Sequence, residues 1–157
     1  MVSPNANRSP QLDAMLKGLR ANGLKVTPQR LAILRELADD RSHPTAMELF
    51  ERLREELPTM SFATVYNTLA ALSEQGLCVA RALEPGPVRF DPNMVPHDHA
   101  VCEDCGLVVD LPVEQTGGVP EMAGFAVRKV ERIYRGSCAD CAPTQGRLAG
   151  AQQATGE

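Results

Sequence analysis

Nothing in the chain approaches a membrane span, because no apolar run nears the ~20 residues that such a helix needs. The N-terminus, MVSPNANRSPQLDA, lacks the apolar stretch of a secretion signal. No membrane partner is expected, and the cytoplasm is the expected compartment. Positive charge is also scarce. The 157 residues carry 16 Lys and Arg against 20 Asp and Glu, for a formal net charge of −4. That balance argues against a protein that coats itself in nucleic acid. Neither a Gly-rich phosphate loop nor a Ser-centred nucleophile motif is present, so an enzyme is not expected. Histidine numbers only three.

What is present suits one ordinary domain or two small ones. Residues 1–90 are near neutral, with 11 basic residues against 10 acidic, whereas the remainder carries 5 against 10. That asymmetry permits DNA contacts in the first half and cation binding in the second. Residues 1–10 are polar and rich in Pro, Ser and Asn, and are expected to be disordered. A short amphipathic helix is predicted around Leu12 to Ala21, stopped by Asn22-Gly23. Thr27-Pro28 opens a second helix with Thr as cap and Pro at the first helical position. Thr45 and Glu48 form a capping box opening a third, which Pro58 closes, with Met47, Leu49, Phe50 and Leu53 as its apolar positions. Ser61 caps a fourth, whose Val65, Leu69 and Leu72 face a core and whose stop is Gly76. The runs LCVARAL and PVRF around Pro85-Gly86 predict a hairpin. Helices followed by a hairpin is the order of a winged helix-turn-helix.

Beyond Asp91 the texture changes. HAVCEDCGLVVDL predicts two short strands around a Cys-x-x-Cys turn, residues 113–124 are rich in Gly and Pro, and GFAVRKVERIYRG predicts a longer strand. This half has few apolar residues for a core of its own, a shortage that a metal site and a partner subunit would both offset. Residues 143–157 read as a flexible tail.

Four of the five cysteines fall in matched pairs, Cys102/Cys105 and Cys138/Cys141, with 32 residues between the pairs. A Cys-x-x-Cys turn aims two thiolates at one ion, and Gly106 permits the first turn to be tight. Two such turns supply a closed tetrahedral shell, which suits structural zinc and leaves no open position for chemistry. The alternative is a redox dithiol in one pair and coincidence in the other. Cys78, alone in an apolar strand, reads as a small buried hydrophobe. His97 and His99 stand at i and i+2, which in a strand puts both imidazoles on one face with Asp98 opposite. His43 by itself reads as a surface or capping residue, and Asp91 and Asp110 are unremarkable singly. Spacing alone does not assemble these five.

The segments HPTAMELF, TMSFATVYNTLAALSEQGL, RFD, HDHAVCEDCGLVVDL and the closing Cys-x-x-Cys, in that order, resemble the ferric uptake regulator family over about residues 11–142. The resemblance implies an α+β fold: an N-terminal winged-helix DNA-binding domain over 11–90 and a small α/β dimerisation and metal-binding domain over 91–142. It implies a homodimer that binds a palindromic double-stranded DNA operator when a regulatory metal is present. Matched motif by motif, Cys102, Cys105, Cys138 and Cys141 become structural zinc ligands. His43, Asp91, His97, His99 and Asp110 become the regulatory metal site bridging the two domains. Asp at the Asp110 position is similar to the family's peroxide-sensing repressors. Pro96 stands where an extra metal site of iron sensors needs a histidine, and the segment after Asp110 is shorter than the family pattern, implying a truncated dimerisation helix.

Three imidazoles and two carboxylates form a nitrogen and oxygen shell that suits Fe2+ or Mn2+ and lacks the thiolate that would favour zinc. Two Asp charges cancel a divalent ion. The expectation is that peroxide with Fe2+ oxidises His43 and His97 and releases DNA, whereas Mn2+ sustains repression. An iron- or other metal-responsive repressor without oxidation chemistry is the alternative, and a zinc-ribbon interaction module is the alternative from another class. Because ligating histidines must be neutral, activation is expected to fall below pH ~6.5. In the predicted recognition helix, Ser61, Thr64, Tyr66 and Asn67 are candidates for DNA contact. Lys17, Arg20, Lys25, Arg30 and the wing residue Arg81 are candidates for phosphate anchoring.

Overall fold

The computed structural model describes residues 9–83, 86–113, 123–128 and 130–142. Four helices come first: α1 (Pro10–Ala21), α2 (Pro28–Ala38), α3 (Ala46–Leu53) and α4 (Phe62–Glu74). Each starts where a side-chain oxygen satisfies an otherwise orphaned backbone N–H. Ser9 caps α1 by accepting from the Leu12 amide, Thr27 caps α2 through Arg30, and Ser61 caps α4 through Thr64. At α3 the capping box is complete: Thr45 accepts from the Glu48 amide at 3.1 Å and Glu48 accepts from the Thr45 amide at 2.7 Å. Helix α1 opens two residues earlier than Leu12 because Ser9-Pro10 repeats the cap-then-proline logic of Thr27-Pro28. Helix α3 stops at Leu53, ahead of Pro58, and Met47 on it is half exposed rather than a core position.

One apolar cluster unites the helices. Met15 and Leu19 from α1, Ile33, Leu34 and Leu37 from α2, Leu49 from α3 and Val65, Leu69 and Leu72 from α4 are all essentially inaccessible. Burial of such a side chain is worth about 1.5–3 kcal/mol, so this half has a core able to hold it together. The strands β1 (Val79–Arg81) and β2 (Arg89–Asp91) follow and pair antiparallel, Val79 opposite Asp91. Phe90 of β2 enters the same core.

The second sheet has the order β4-β3-β5, from β3 (His97–Cys102), β4 (Val108–Pro112) and β5 (Ile133–Gly136). Strands β3 and β4 are antiparallel, with His99 opposite Asp110, and β5 runs parallel to β3. The long strand expected across 124–136 is confined to Ile133–Gly136, all four residues of which are exposed. Among the described residues the buried apolar cluster here is Leu83, Val101 and Val108 alone. The expected truncated helix between Asp110 and Gly124, and the terminal segments expected to be disordered or flexible, fall largely or wholly outside the described residues.

Candidate metal centres

Strand β3 delivers Cys102 to its end, and the chain turns back through Cys105 to β4. The turn closes with Gly106 N–H donating to the Cys102 carbonyl at 2.9 Å, and Gly106 has φ +73°, a conformation that suits glycine. The segment after β5 makes the matching turn, with Cys141 N–H donating to the Cys138 carbonyl at 3.1 Å. The four sulfurs all lie within 4.8 Å of one another, and Cys105 Sγ and Cys138 Sγ are 3.7 Å apart. That is far beyond a disulfide bond of ~2.05 Å. It matches the ~3.8 Å edge of a tetrahedron whose centre stands ~2.3 Å from each sulfur. The Cys138 backbone N–H, 3.2 Å from Cys102 Sγ, is the largest of the influences drawing the Cys102 thiol down to about 6. The neighbouring thiols push Cys141 the other way. A cluster in which one thiolate opposes the next becomes stable as four thiolates only around a cation.

The second cluster is built from both halves. His43 lies just before α3 with φ 53°, and among the described residues it is the one non-glycine with positive φ. Its left-handed backbone is held by neighbours. Arg89 Nη1 donates to the His43 carbonyl at 3.0 Å, and Phe90 N–H donates to the Pro44 carbonyl at 2.9 Å, clipping the segment to β2. Asp91 ends β2. His97 and His99 point from one face of β3, their Nε2 atoms 3.0 Å apart, and Asp110 comes from the partner position on β4. His43 Nε2 is 2.8 Å from Asp110 Oδ1 and 3.8 Å from Asp91 Oδ1. His97 Nε2 is 3.1 Å from Asp91 Oδ2 and 3.5 Å from Asp110 Oδ1, and His99 Nε2 is 3.5 Å from Asp91 Oδ2. Ligands ~2.1 Å from a common ion stand ~3.0–3.4 Å apart, so the spacing fits one cation. His43, Asp91, His97 and His99 each offer an atom within 4.8 Å of all the others, and Asp110 adjoins this set through His43 and His97.

The electrostatics agree with the geometry. His43 Nδ1 is 3.1 Å from the Arg41 carbonyl and His97 Nδ1 is 2.6 Å from the Val95 carbonyl. Each carbonyl selects the tautomer protonated on Nδ1 and leaves the Nε2 lone pair for a ligand. Burial lowers the His43 pKa below its ordinary value despite the pull of Asp91 and Asp110. The Asp91 carboxyl is held well below the usual range, as hydrogen bonds from His99, Arg81 and Asn93 outweigh a burial penalty that is itself the largest single influence. His43 Nε2 and Asp110 Oδ1 are buried without a hydrogen-bond partner. Two such orphans facing each other are costly, and a cation between the ligands would satisfy both. A cavity of about 170 Å³, lined among others by Gln11, Asp39, Asp40, His43, Asn93 and Asp110, reaches the cluster from outside.

Arg81 departs from expectation. Its Nε donates to Asp91 Oδ2 at 2.9 Å and its Nη1 to Glu131 at 3.0 Å, with the side chain 13% exposed. It is bound to the cluster rather than displayed on the wing for phosphate. Lys17, Arg20 and Lys25 are exposed, and Arg30 is half-buried with its guanidinium on the Lys25 carbonyl. On α4, Tyr66 and Asn67 are exposed, whereas the Ser61 and Thr64 hydroxyls lie 2.9 Å apart at the cap. Asn93, Arg89 and Arg81 were missed as supports of the cluster. Only the Asn93 position, between two prolines in a turn-forming stretch, carried any sequence signal.

Residues 21–123 match the model of the ferric uptake regulator family, which is well over half the chain. The chain belongs to that family. Among curated relatives, the peroxide-responsive repressor PerR of Staphylococcus saprophyticus is 36% identical over 135 residues, covering 83% of this chain and 91% of its own. The peroxide operon regulator of Bacillus subtilis is also 36% identical over 135 residues, covering 83% and 93%. Among solved structures, the Campylobacter jejuni peroxide stress regulator superposes with a TM-score of 0.59 at 31% identity, over 80% of this chain and 98% of that one. The Helicobacter pylori ferric uptake regulator reaches 0.69 at 19% identity, over 89% and 99%, a likeness of fold. The matched span of the family model holds all five members of the histidine–aspartate cluster and the first cysteine pair.

Proposed function

We propose that the chain is a metal-dependent, peroxide-responsive transcriptional repressor that acts in the cytoplasm as a homodimer on a palindromic DNA operator and is not an enzyme. One observation carries the reading: His43, from the helical half, converges with Asp91, His97 and His99, and Asp110 meets His43 at 2.8 Å where a buried atom of each lacks a hydrogen-bond partner. A cation held there ties the helical half (11–90) to the sheet half (91–142) and favours one arrangement of the two. The four cysteines hold structural zinc, and the histidine–aspartate shell takes Fe2+ or Mn2+. Relatives named as a peroxide-responsive repressor and as a peroxide operon regulator support the peroxide assignment.

Within that reading each group has a part. Ser61, Thr64, Tyr66 and Asn67 of α4 meet the major groove, and Lys17, Arg20, Lys25 and Arg30 meet phosphates. His43 and His97 offer neutral Nε2 atoms, and Asp91 and Asp110 cancel the charge of a divalent ion. Fe2+ held by these residues would supply one-electron activation of hydrogen peroxide, the electron being returned as the ring is oxidised, which Mn2+ would not readily do. Net transfer of one oxygen atom from peroxide to an imidazole carbon of His43 or His97 leaves water and a ring that ligates poorly. Repression then ends.

The test is to load the zinc-bearing protein with Fe2+ or with Mn2+, add peroxide, and measure peptide masses and operator binding. The expected result is a gain of one oxygen in the His43 or His97 peptide, with loss of DNA binding, in the iron form alone. If the iron form releases DNA only when the metal is chelated and no peptide gains mass, the protein is a metal-responsive repressor without oxidation chemistry.

A further inference from the structure

The two carboxylates of the histidine–aspartate cluster share a support that is not itself a ligand. Asn93 lies two residues beyond Asp91. Its backbone N–H donates to Asp91 Oδ1 at 2.8 Å, and its side-chain Nδ2 donates to Asp110 Oδ2 at 3.0 Å. The orientation of the amide is settled by its other end, where Oδ1 accepts from Val95 N–H at 3.1 Å, so the nitrogen must face Asp110. Asp110 is thereby divided into two unlike oxygens. Oδ2 is engaged by Asn93, whereas Oδ1 is buried, has no hydrogen-bond partner and lies 2.8 Å from His43 Nε2. Asp91, by contrast, is held at both oxygens: Oδ1 accepts from the Asn93 backbone N–H, and Oδ2, the oxygen nearest His97 and His99, accepts from Arg81 Nε at 2.9 Å.

We propose that Asn93 is the positioning residue of this centre: its side-chain amide occupies one oxygen of Asp110, so that this acid presents a single oxygen to a cation. The proposal rests on the reading of the cluster as the regulatory metal site. Without that amide, the remaining charged contact of Oδ2 is the exposed Arg41 Nη1 at 3.8 Å, a weak restraint on Asp110 turning either oxygen, or both, towards the ligand point. An acid that offered both oxygens would take up more of the shell around a cation and leave less room for a small oxidant to reach it. Outer partners of this kind typically contribute ~10–100-fold to metal affinity.

The experiment measures Mn2+ affinity by titration of the zinc-loaded protein, followed by the electron paramagnetic resonance of free Mn2+. The parent is compared with Asn93→Ala, Asn93→Asp, Asp110→Ala and the Asn93→Ala/Asp110→Ala double variant, with melting of the Mn2+-free proteins as the fold control. Asn93→Ala is expected to weaken binding ~10–100-fold and to have less than about a twofold effect once Asp110 is gone, since the coupling is the signature of action through that residue. Asn93→Asp keeps the size and places a negative charge against Asp110, and is expected to weaken binding more than Asn93→Ala does. Binding by Asn93→Ala within about twofold of the parent would overturn the proposal. So would an equal loss in the Asp110→Ala background, or tighter binding by Asn93→Asp. A parent that takes up no Mn2+ would instead overturn the reading of the site itself, and is distinguished from these by its own titration.

Discussion

His43 concentrates several costs in one residue. Its backbone is left-handed, its ring is 1% exposed, and the ring is driven towards the neutral form by burial. Non-glycine residues in such a conformation persist when surroundings over-determine them, and they cluster at functional sites. Here the surroundings are Arg89 on its carbonyl and the β2 clip on Pro44. The titration has a definite sign. A histidine that folding makes harder to protonate stabilises the native state above its unfolded pKa of ~6.5, and that contribution is lost as pH falls through the lowered folded value. The zinc-loaded protein without regulatory metal is therefore expected to melt at a lower temperature at pH 5 than at pH 7. His43→Asn should flatten that slope, because asparagine tolerates the left-handed conformation and does not titrate. Melting curves across that range check the point, and an unchanged slope in the variant would assign the pH dependence to other groups. The lone thiol at Cys78 is a contrast: burial pushes it up to about 12, which fits the small buried hydrophobe expected of it.

At the scale of elements, helix α3 is a short piece with a strategic start. Its capping box stands two residues after His43, so the same hydrogen bonds that begin the helix also fix where the ligand-bearing segment leaves it. Thr45→Ala removes the side-chain acceptor and should cost about 1 kcal/mol of stability, read as a lower denaturation midpoint. It should weaken Mn2+ binding in addition, because His43 loses part of its anchorage. A variant destabilised to that extent but with unchanged Mn2+ affinity would show that β2 alone positions His43. The helices were legible because cap-then-proline and capping-box signals act within four residues, as at Thr27-Pro28 and Thr45 to Glu48. The hairpins at β1/β2 and β3/β4 were legible for the same local reason, and so was the shared face of His97 and His99. The membership of His43 and Asp110 in one cluster was not. It depends on pairing β2 with the Pro44 segment and β3 with β4, contacts that the order of segments implied through resemblance and no periodicity could show. The contact of Arg81 with Asp91 was not legible either, because a wing arginine facing solvent and a largely covered counter-ion have the same sequence signature.

Across the whole molecule the two halves are held by different physics. The helical half buries seventeen residues in one cluster, whereas the second cluster is Val101 and Val108 of the described sheet half with Leu83 from the end of the helical half. Val109, Val113, Val130, Ile133 and Tyr134 remain half exposed in the single chain, apolar area that a second copy would cover. A fold so short of apolar burial relies on its cross-links, and beyond the β3–β5 hydrogen bonds the four sulfurs within 4.8 Å of one another would, around a cation, tie the turn after β3 to the segment after β5. Zinc binding there is folding free energy. Stripping the zinc with a strong chelator under reducing conditions should therefore unfold the sheet half selectively. Hydrogen exchange would rise across 97–112 and 133–141 while α1, α2 and α4 keep their protection, and the dimer would dissociate in the same step. Removing only the regulatory ion by mild chelation should leave both the sheet and the dimer intact, since His43, Asp91, His97, His99 and Asp110 join elements that are each already paired. Chelation that melted the helices first, or left exchange in the sheet unchanged after zinc loss, would show that the cysteine cluster is not what holds this half together.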